Sequence, residues 1–185
     1  MDRAKDGSEV KVIRGKAVVP VRIDGLGARS VYSLKVASDG TRIALVVAEP
    51  GHPKSLLIGR VEHFGTPAAP KAAVTELRPV GTVLSEVVSV SWADTDQLLV
   101  LGKEDGKLQQ LHYFGTDGSV NSDFVLQGGD SMSSVSATEA RDDQSEKVPP
   151  VLATSSAKQQ IYRLVGNQWR EIPDKSGSWM FSYPG

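Results

Sequence analysis

Apolar residues recur with a spacing of two along most of this chain, and turn signals interrupt them about every ten residues. The clearest stretch is Val31 to Val47, VYSLKVASDGTRIALVV. Leu34 and Val36 alternate into Ser38-Asp39-Gly40, and a nearly continuous apolar run from Ile43 to Val47 returns. Asp-Gly suits a tight turn, because Gly takes positive φ without steric cost and Asp can bond its own backbone. The stretch therefore predicts a hairpin. Upstream, Val10 to Ile23 predicts another, with a turn at Arg14-Gly15-Lys16 and with Val19, Val21 and Ile23 on one face. Pro20 cannot donate to a ladder, so its strand is expected at a sheet edge. Downstream, Ser55 to Val61 predicts a third strand, Gly65 to Pro70 a loop rich in Pro and Ala, and Ala73 to Val80 a fourth strand.

The set then repeats. Val87 to Trp92 alternates, with Val88, Val90 and Trp92 on one face and Ser89 and Ser91 on the other. Asp94-Thr95-Asp96 stands where Ser38-Asp39-Gly40 stood, Gln97 to Gly102 answers the apolar run, Leu108 to Phe114 answers the third strand, and Asp123 to Gln127 is a short outer strand. A third pass runs through Met132 to Thr138, a charged insertion from Glu139 to Lys147, Val151 to Ser155, Gln159 to Leu164 and Gln168 to Ile172. The period of about 45 to 55 residues is that of a four-stranded propeller blade.

Helical spacing is absent, and five Asp-Gly dipeptides punctuate the chain, so the fold is expected to be all-β. A β-sandwich is the rival architecture. The repeated order favours a partial β-propeller of about three four-stranded antiparallel blades plus a leading hairpin. The expected parts are the hairpin at 8–23, blades at 30–80, 86–127 and 132–173, and a C-terminal tail at 174–185.

Composition narrows the function by exclusion. With 185 residues, a formal net charge of -1 and scattered Lys and Arg, nothing points to nucleic acid. The chain has no cysteine, which removes disulfides, thiolate catalysis and Cys-based zinc sites and leaves the redox compartment open. No run approaches the roughly 20 apolar residues of a membrane helix, and Met1 to Asp6 has no signal-peptide core. Met1 ahead of a turn-like segment is read as a start placed inside a longer protein, with any export or anchoring signal upstream.

No residue set carries catalytic chemistry. His52, His63 and His112 have no metal-ligand spacing and are read as surface or satisfied histidines, in a turn, at a strand end and within a strand. Asp94 and Asp96 lack the remaining positions of a calcium loop and are read as turn caps. Ser131 to Ser134 has no nucleophile-elbow context, and Gly128-Gly129-Asp130 is read as a turn between blades. No catalytic residue, cofactor or metal is therefore expected. Trp92 is assigned to the core and Trp169 to an outer strand. The candidate protein contacts are Trp179, Phe181 and Tyr183 in the tail and Arg141, Asp142 and Asp143 in the charged insertion.

The SDGTRIALVV hairpin, the LLIGRV strand after it, the VPVRIDGLG lead-in and the closing Ser182-Tyr183-Pro184-Gly185 together resemble the C-terminal β-propeller region of the actinobacterial lipoprotein LpqB family. The likeness covers most of the chain in order, and the lead-in and the Tyr-Pro-Gly ending are its specific parts. It implies a secreted, lipid-anchored cell-surface protein with a non-enzymatic role. Its expected partner is the extracytoplasmic region of the MtrB sensor histidine kinase of the MtrAB two-component system, in cell-wall homeostasis. The lipidated Cys and the preceding domain are absent from these residues, so the membrane enters only through an upstream anchor. Open sheet edges are expected to favour self-association. The alternative is a hydrolase or glycan-binding site in the central channel of the whole propeller.

Overall fold

A computed structural model of the chain describes residues 10–14, 17–66, 69–127, 132–137, 151–156, 158–165 and 168–172. Among these there are fourteen strands and no helix: β1 (Val10–Arg14), β2 (Ala17–Ile23), β3 (Ser30–Val36), β4 (Arg42–Ala48), β5 (Ser55–Thr66), β6 (Ala69–Val80), β7 (Glu86–Trp92), β8 (Gln97–Lys103), β9 (Gln110–Gly115), β10 (Val120–Gln127), β11 (Ser134–Ala137), β12 (Val151–Ser155), β13 (Gln160–Val165) and β14 (Gln168–Glu171). They form three sheets, ordered β1-β2-β6-β5-β4-β3, β10-β9-β8-β7 and β11-β12-β13-β14. The all-β expectation holds, and within each of the second and third sheets sequence neighbours pair antiparallel, as in blades.

The apolar runs that broke the alternation mark strands buried on both faces. In β8, Leu98 and Val100 pack toward the first sheet while Leu99 and Leu101 pack toward the third. In β4, Ala44 and Val46 face the second sheet, whereas Ile43, Leu45 and Val47 join Leu26, Leu57 and Val74 on the opposite face. Each large side chain so enclosed contributes about 1.5 to 3 kcal/mol of transfer free energy. Trp92 is buried as expected, and its Nε1 donates to the Lys35 carbonyl at 2.9 Å, tying β7 to β3. Trp169 packs at the margin of the core between the second and third sheets.

The turns follow the repeat. Ala37 N donates to Arg42 O, and Ala93 N to Gln97 O, both at 2.9 Å. Asp39 accepts from Thr41 N at 2.9 Å, and Asp94 accepts from Thr95 N at 2.6 Å, so the Asp94-Thr95-Asp96 segment is a capped turn as expected.

Three features depart from the sequence expectations. The leading hairpin is not a separate appendage: β2 pairs in parallel with β6, Val21 to Ala72 and Ile23 to Val74, so the first sheet has six strands. This register places Val21 and Ile23 against the core formed by Ile43, Leu45 and Val47, an apolar reward that a detached hairpin would forgo. Second, β2 is not an edge strand. Pro20 faces Lys11 of β1, and the pairing with β6 begins only at Val21, so the missing N–H falls where no ladder needs it. Third, β5 and β6 run on through most of the Pro- and Ala-rich segment, which puts His63 inside a strand.

That long hairpin is bent near its middle. The register slips between Ile58 and Arg60, so Glu76 and Leu77 lie opposite Gly59, and Glu76 adopts a φ of 54°. A Cβ on Gly59 would lie 2.6 Å from Val74 Cγ1, so glycine is required for the close approach. Beyond the bulge, β5 and β6 curl away to meet β2.

Serines couple the second and third sheets. Ser89 Oγ accepts from Val135 N at 3.2 Å and Ser91 Oγ from Ala137 N at 3.0 Å, so β7 satisfies outward donors of β11, an edge strand of its sheet. Replacing both serines (Ser89→Ala with Ser91→Ala) leaves two part-buried donors without partners, at about 1 to 3 kcal/mol each. We expect a loss of about 2 to 6 kcal/mol in urea unfolding and faster hydrogen exchange at the Val135 and Ala137 amides. Unchanged exchange at those two amides would show that the clamp contributes nothing.

Candidate functional site

The sequence-predicted contacts Trp179, Phe181, Tyr183, Arg141, Asp142 and Asp143, the insertion that holds the last three, and the Gly128-Gly129-Asp130 turn lie outside the described residues. The three histidines are not brought together. His52 is in an exposed turn, His63 is exposed in β5, and His112 is buried in β9. Among the described residues no group of three or more His, Cys, Asp or Glu is placed to hold a metal ion.

The surface that stands out is the rim of β3. Leu34 lies opposite Leu45 and Val36 opposite Ile43, the register that Val90 and Trp92 occupy opposite Val100 and Leu98 in the second sheet. The second-sheet pair is 0% and 6% exposed, packed under the first sheet, whereas Leu34 and Val36 are 37% and 51% exposed. Among the described residues, no sheet stands in front of the first sheet's own inner strand. Tyr32, at the register shift of β3, is also exposed, and the Lys54 ammonium lies 4.9 Å from its ring centroid. β3 is also the edge of its sheet. The sequence pattern predicts a hairpin here. The alternation was correctly read, but exposure depends on what precedes β3 in space, which a pattern of apolar positions does not encode.

His112 is the buried polar group that the sequence understated. Its ring stacks on Phe114, with centroids 5.8 Å apart, and its Nε2 has no hydrogen-bond partner among the described residues. Burial pushes its imidazole below the usual value of 6.5, opposed by the Glu104 carboxylate and assisted by Lys107. Burial likewise pushes the neighbouring Tyr113 phenol up to about 12, so it stays neutral. By contrast, hydrogen bonds hold three carboxyls below their ordinary values: Asp39 through the Thr41 amide and hydroxyl, Glu104 through the Lys107 ammonium, and Asp117 through the Ser119 hydroxyl and amide.

The sign of the pH dependence follows. Near pH 6.5 the unfolded chain takes up a proton at His112 that the folded chain refuses, so the stability from a neutral His112 is complete above that pH. It is lost as the pH falls toward the lowered folded value. The three carboxyls lose their contributions only below their ordinary values of 3.8, 4.5 and 3.8, which separates the two effects. The urea midpoint of the wild-type chain should therefore fall between about pH 6.5 and 4.5, and His112→Leu should flatten that decline. A decline of equal size in the variant would remove His112 as its source.

The family model described as the lipoprotein LpqB β-propeller domain matches residues 4–180. The chain is 38% identical over 169 residues to a lipoprotein LpqB of Streptomyces coelicolor, covering 90% of this chain and 25% of that protein. It is 36% identical over 154 residues to lipoprotein LpqB of Streptomyces avermitilis, covering 82% and 23%. A lipoprotein LpqB of Thermobifida fusca matches over 103 residues at 32% identity, covering 55% and 15%. The chain thus spans about a quarter or less of the length of these curated relatives. No solved structure matches it.

Proposed function

We propose, because this chain belongs to the lipoprotein LpqB β-propeller family, that it is a non-catalytic binding module of an envelope lipoprotein and contributes to control of an extracytoplasmic sensor histidine kinase. Each of its three sheets serves as one blade in this reading. The parent is held at the outer face of the cell membrane by a lipid anchor carried elsewhere in its chain, in keeping with relatives that are named lipoproteins. The partner is the sensor region of a kinase of the MtrAB type, and the family resemblance supports that choice.

One structural observation carries the binding role: the exposed pair Leu34 and Val36 on edge strand β3, whose counterparts one sheet later, Val90 and Trp92, are buried. An edge strand with apolar side chains alternating along it is the surface on which a partner adds a strand or lays an apolar face. Leu34 and Val36 supply pockets or anchors, and the backbone supplies register.

Titration of the chain with the purified sensor domain tests this reading. We expect saturable binding with a Kd on the order of tens of micromolar or tighter, weakened about tenfold or more by Val36→Asp. Val36 is exposed, so the urea midpoint of that variant should stay close to wild type. Absence of saturable binding would dispose of the kinase reading, and binding indifferent to Val36→Asp would move the interface off β3.

A further inference from the structure

On the outer strands of the first sheet, beyond the bulge at Gly59, a groove of about 530 Å³ is lined by Arg22, Arg60, Val61, Glu62, His63 and Phe64. Its construction follows from the register. Glu62 of β5 lies opposite Ala73 of β6, and Ala73 opposite Arg22 of β2, so one row across three strands reads long, short, long. Ala73, between the two long side chains, is fully buried. The parallel joint between β2 and β6 is what brings Arg22 to this row.

The charges at the groove are not arranged for stability. Arg60 lies directly opposite Arg42 of β4 on one side and Thr75 of β6 on the other. Like charges directly opposed on neighbouring strands are unfavourable. Arg42 turns its Nη1 to the Thr95 carbonyl at 2.5 Å, toward the second sheet. Arg60 has no ion pair among the described residues, while Arg22 is paired with Asp24 at 2.9 Å. Glu62 accepts from Thr75 Oγ1 at 3.2 Å. Phe64, two residues beyond Glu62, is 48% exposed at the end of the groove.

We propose that this groove binds an acidic saccharide, a pyranose carrying a carboxylate or phosphate group. Arg22 and Arg60 stand about 12 Å apart at Cα, two strand spacings across and two residues along, so their guanidinium groups can converge on one anionic group, for which Arg22 exchanges its exposed pair with Asp24. A bare anion would leave Glu62 repelling it. A sugar acid satisfies Glu62 as well, because its hydroxyls donate to the carboxylate, and its apolar ring face covers Phe64. The groove lies on strands β2, β5 and β6, at the other side of the sheet from β3, so this binding is independent of the protein contact proposed above.

Calorimetric titration of the 185-residue chain with four probes tests it: a hyaluronate tetrasaccharide, glucose 6-phosphate, chitotetraose and inorganic phosphate. Binding of the tetrasaccharide or the sugar phosphate, reduced about tenfold or more by Arg60→Ala and by Arg22→Ala, is the expected result, and the stronger of the two identifies the anionic group. Because Arg60 faces Arg42, Arg60→Ala should lose binding while its urea midpoint stays equal to or above that of wild type, which a merely structural arginine would not do. Chitotetraose binding as tightly as the acidic probes would overturn the proposal. So would inorganic phosphate matching the sugars, affinities unchanged in both variants, or no binding of either acidic probe at millimolar concentration.

Discussion

Burial of a strand on both faces is the constraint on which this molecule depends. β4 and β8 carry large aliphatic side chains at successive positions, so neither can lie in a sheet with one wet face. Each needs apolar cover above and below. The second sheet receives it from the first and the third, through two separate cores on its two faces. Among the described residues, the first sheet has a neighbouring sheet on one face only. Its other face is covered from within: the bulge at Gly59 bends the β5–β6 hairpin, β2 joins β6 in parallel, and Val21, Ile23 and Leu26 close over Ile43, Leu45 and Val47. The curl of the first sheet is thus a response to the same demand that stacks the other two.

Stacked sheets also bring backbone edges together, and polar side chains settle the donors left over. Ser89 and Ser91 face the third sheet because the even alternation of β7 commits Val90 and Trp92 to the first. Gln109 is buried at the same junction and donates from Nε2 to the Met132 carbonyl at 2.8 Å. In both cases a side chain supplies what a neighbouring strand would have supplied within a sheet. His112 breaks this economy, since its Nε2 is enclosed without a partner, and the cost appears as a depressed basicity.

Much of this was legible beforehand because it is local. Strands such as Val151 to Ser155 and the Ala17 to Ile23 half of the leading hairpin were read from alternation and turn residues alone, and the place of Trp92 in the core followed from its phase. What escaped the reading is set by long-range pairing. The union of β2 with β6 joins segments about fifty residues apart through three residue pairs, and alanines at 72 and 73 give no periodic sign of it. The extension of β5 through His63 and Phe64 was hidden because Pro and Ala near a hairpin end look like a loop. The open rim of β3 was hidden for the opposite reason. Its residues look like core, and in the next sheet their counterparts are core.

That last point separates two kinds of exposed residue in this chain. Leu34 and Val36 are exposed where their counterparts in the second sheet are core, so their apolar character is explained by the repeat and their function lies in whatever covers them. Arg60 and Phe64 have no such explanation. Their counterparts are not part of the alternating core, they lie past a bulge, and the arginine stands against another of like charge. A scaffold requirement accounts for the first pair and fails for the second. Ending the long β5–β6 hairpin at the bulge would leave β4 its ladder partners from Ser55 to Gly59 but remove Val74 and the joint with β2 that cover Ile43, Leu45 and Val47. The extra length therefore serves the curl, the joint with β2 and the groove that the joint creates.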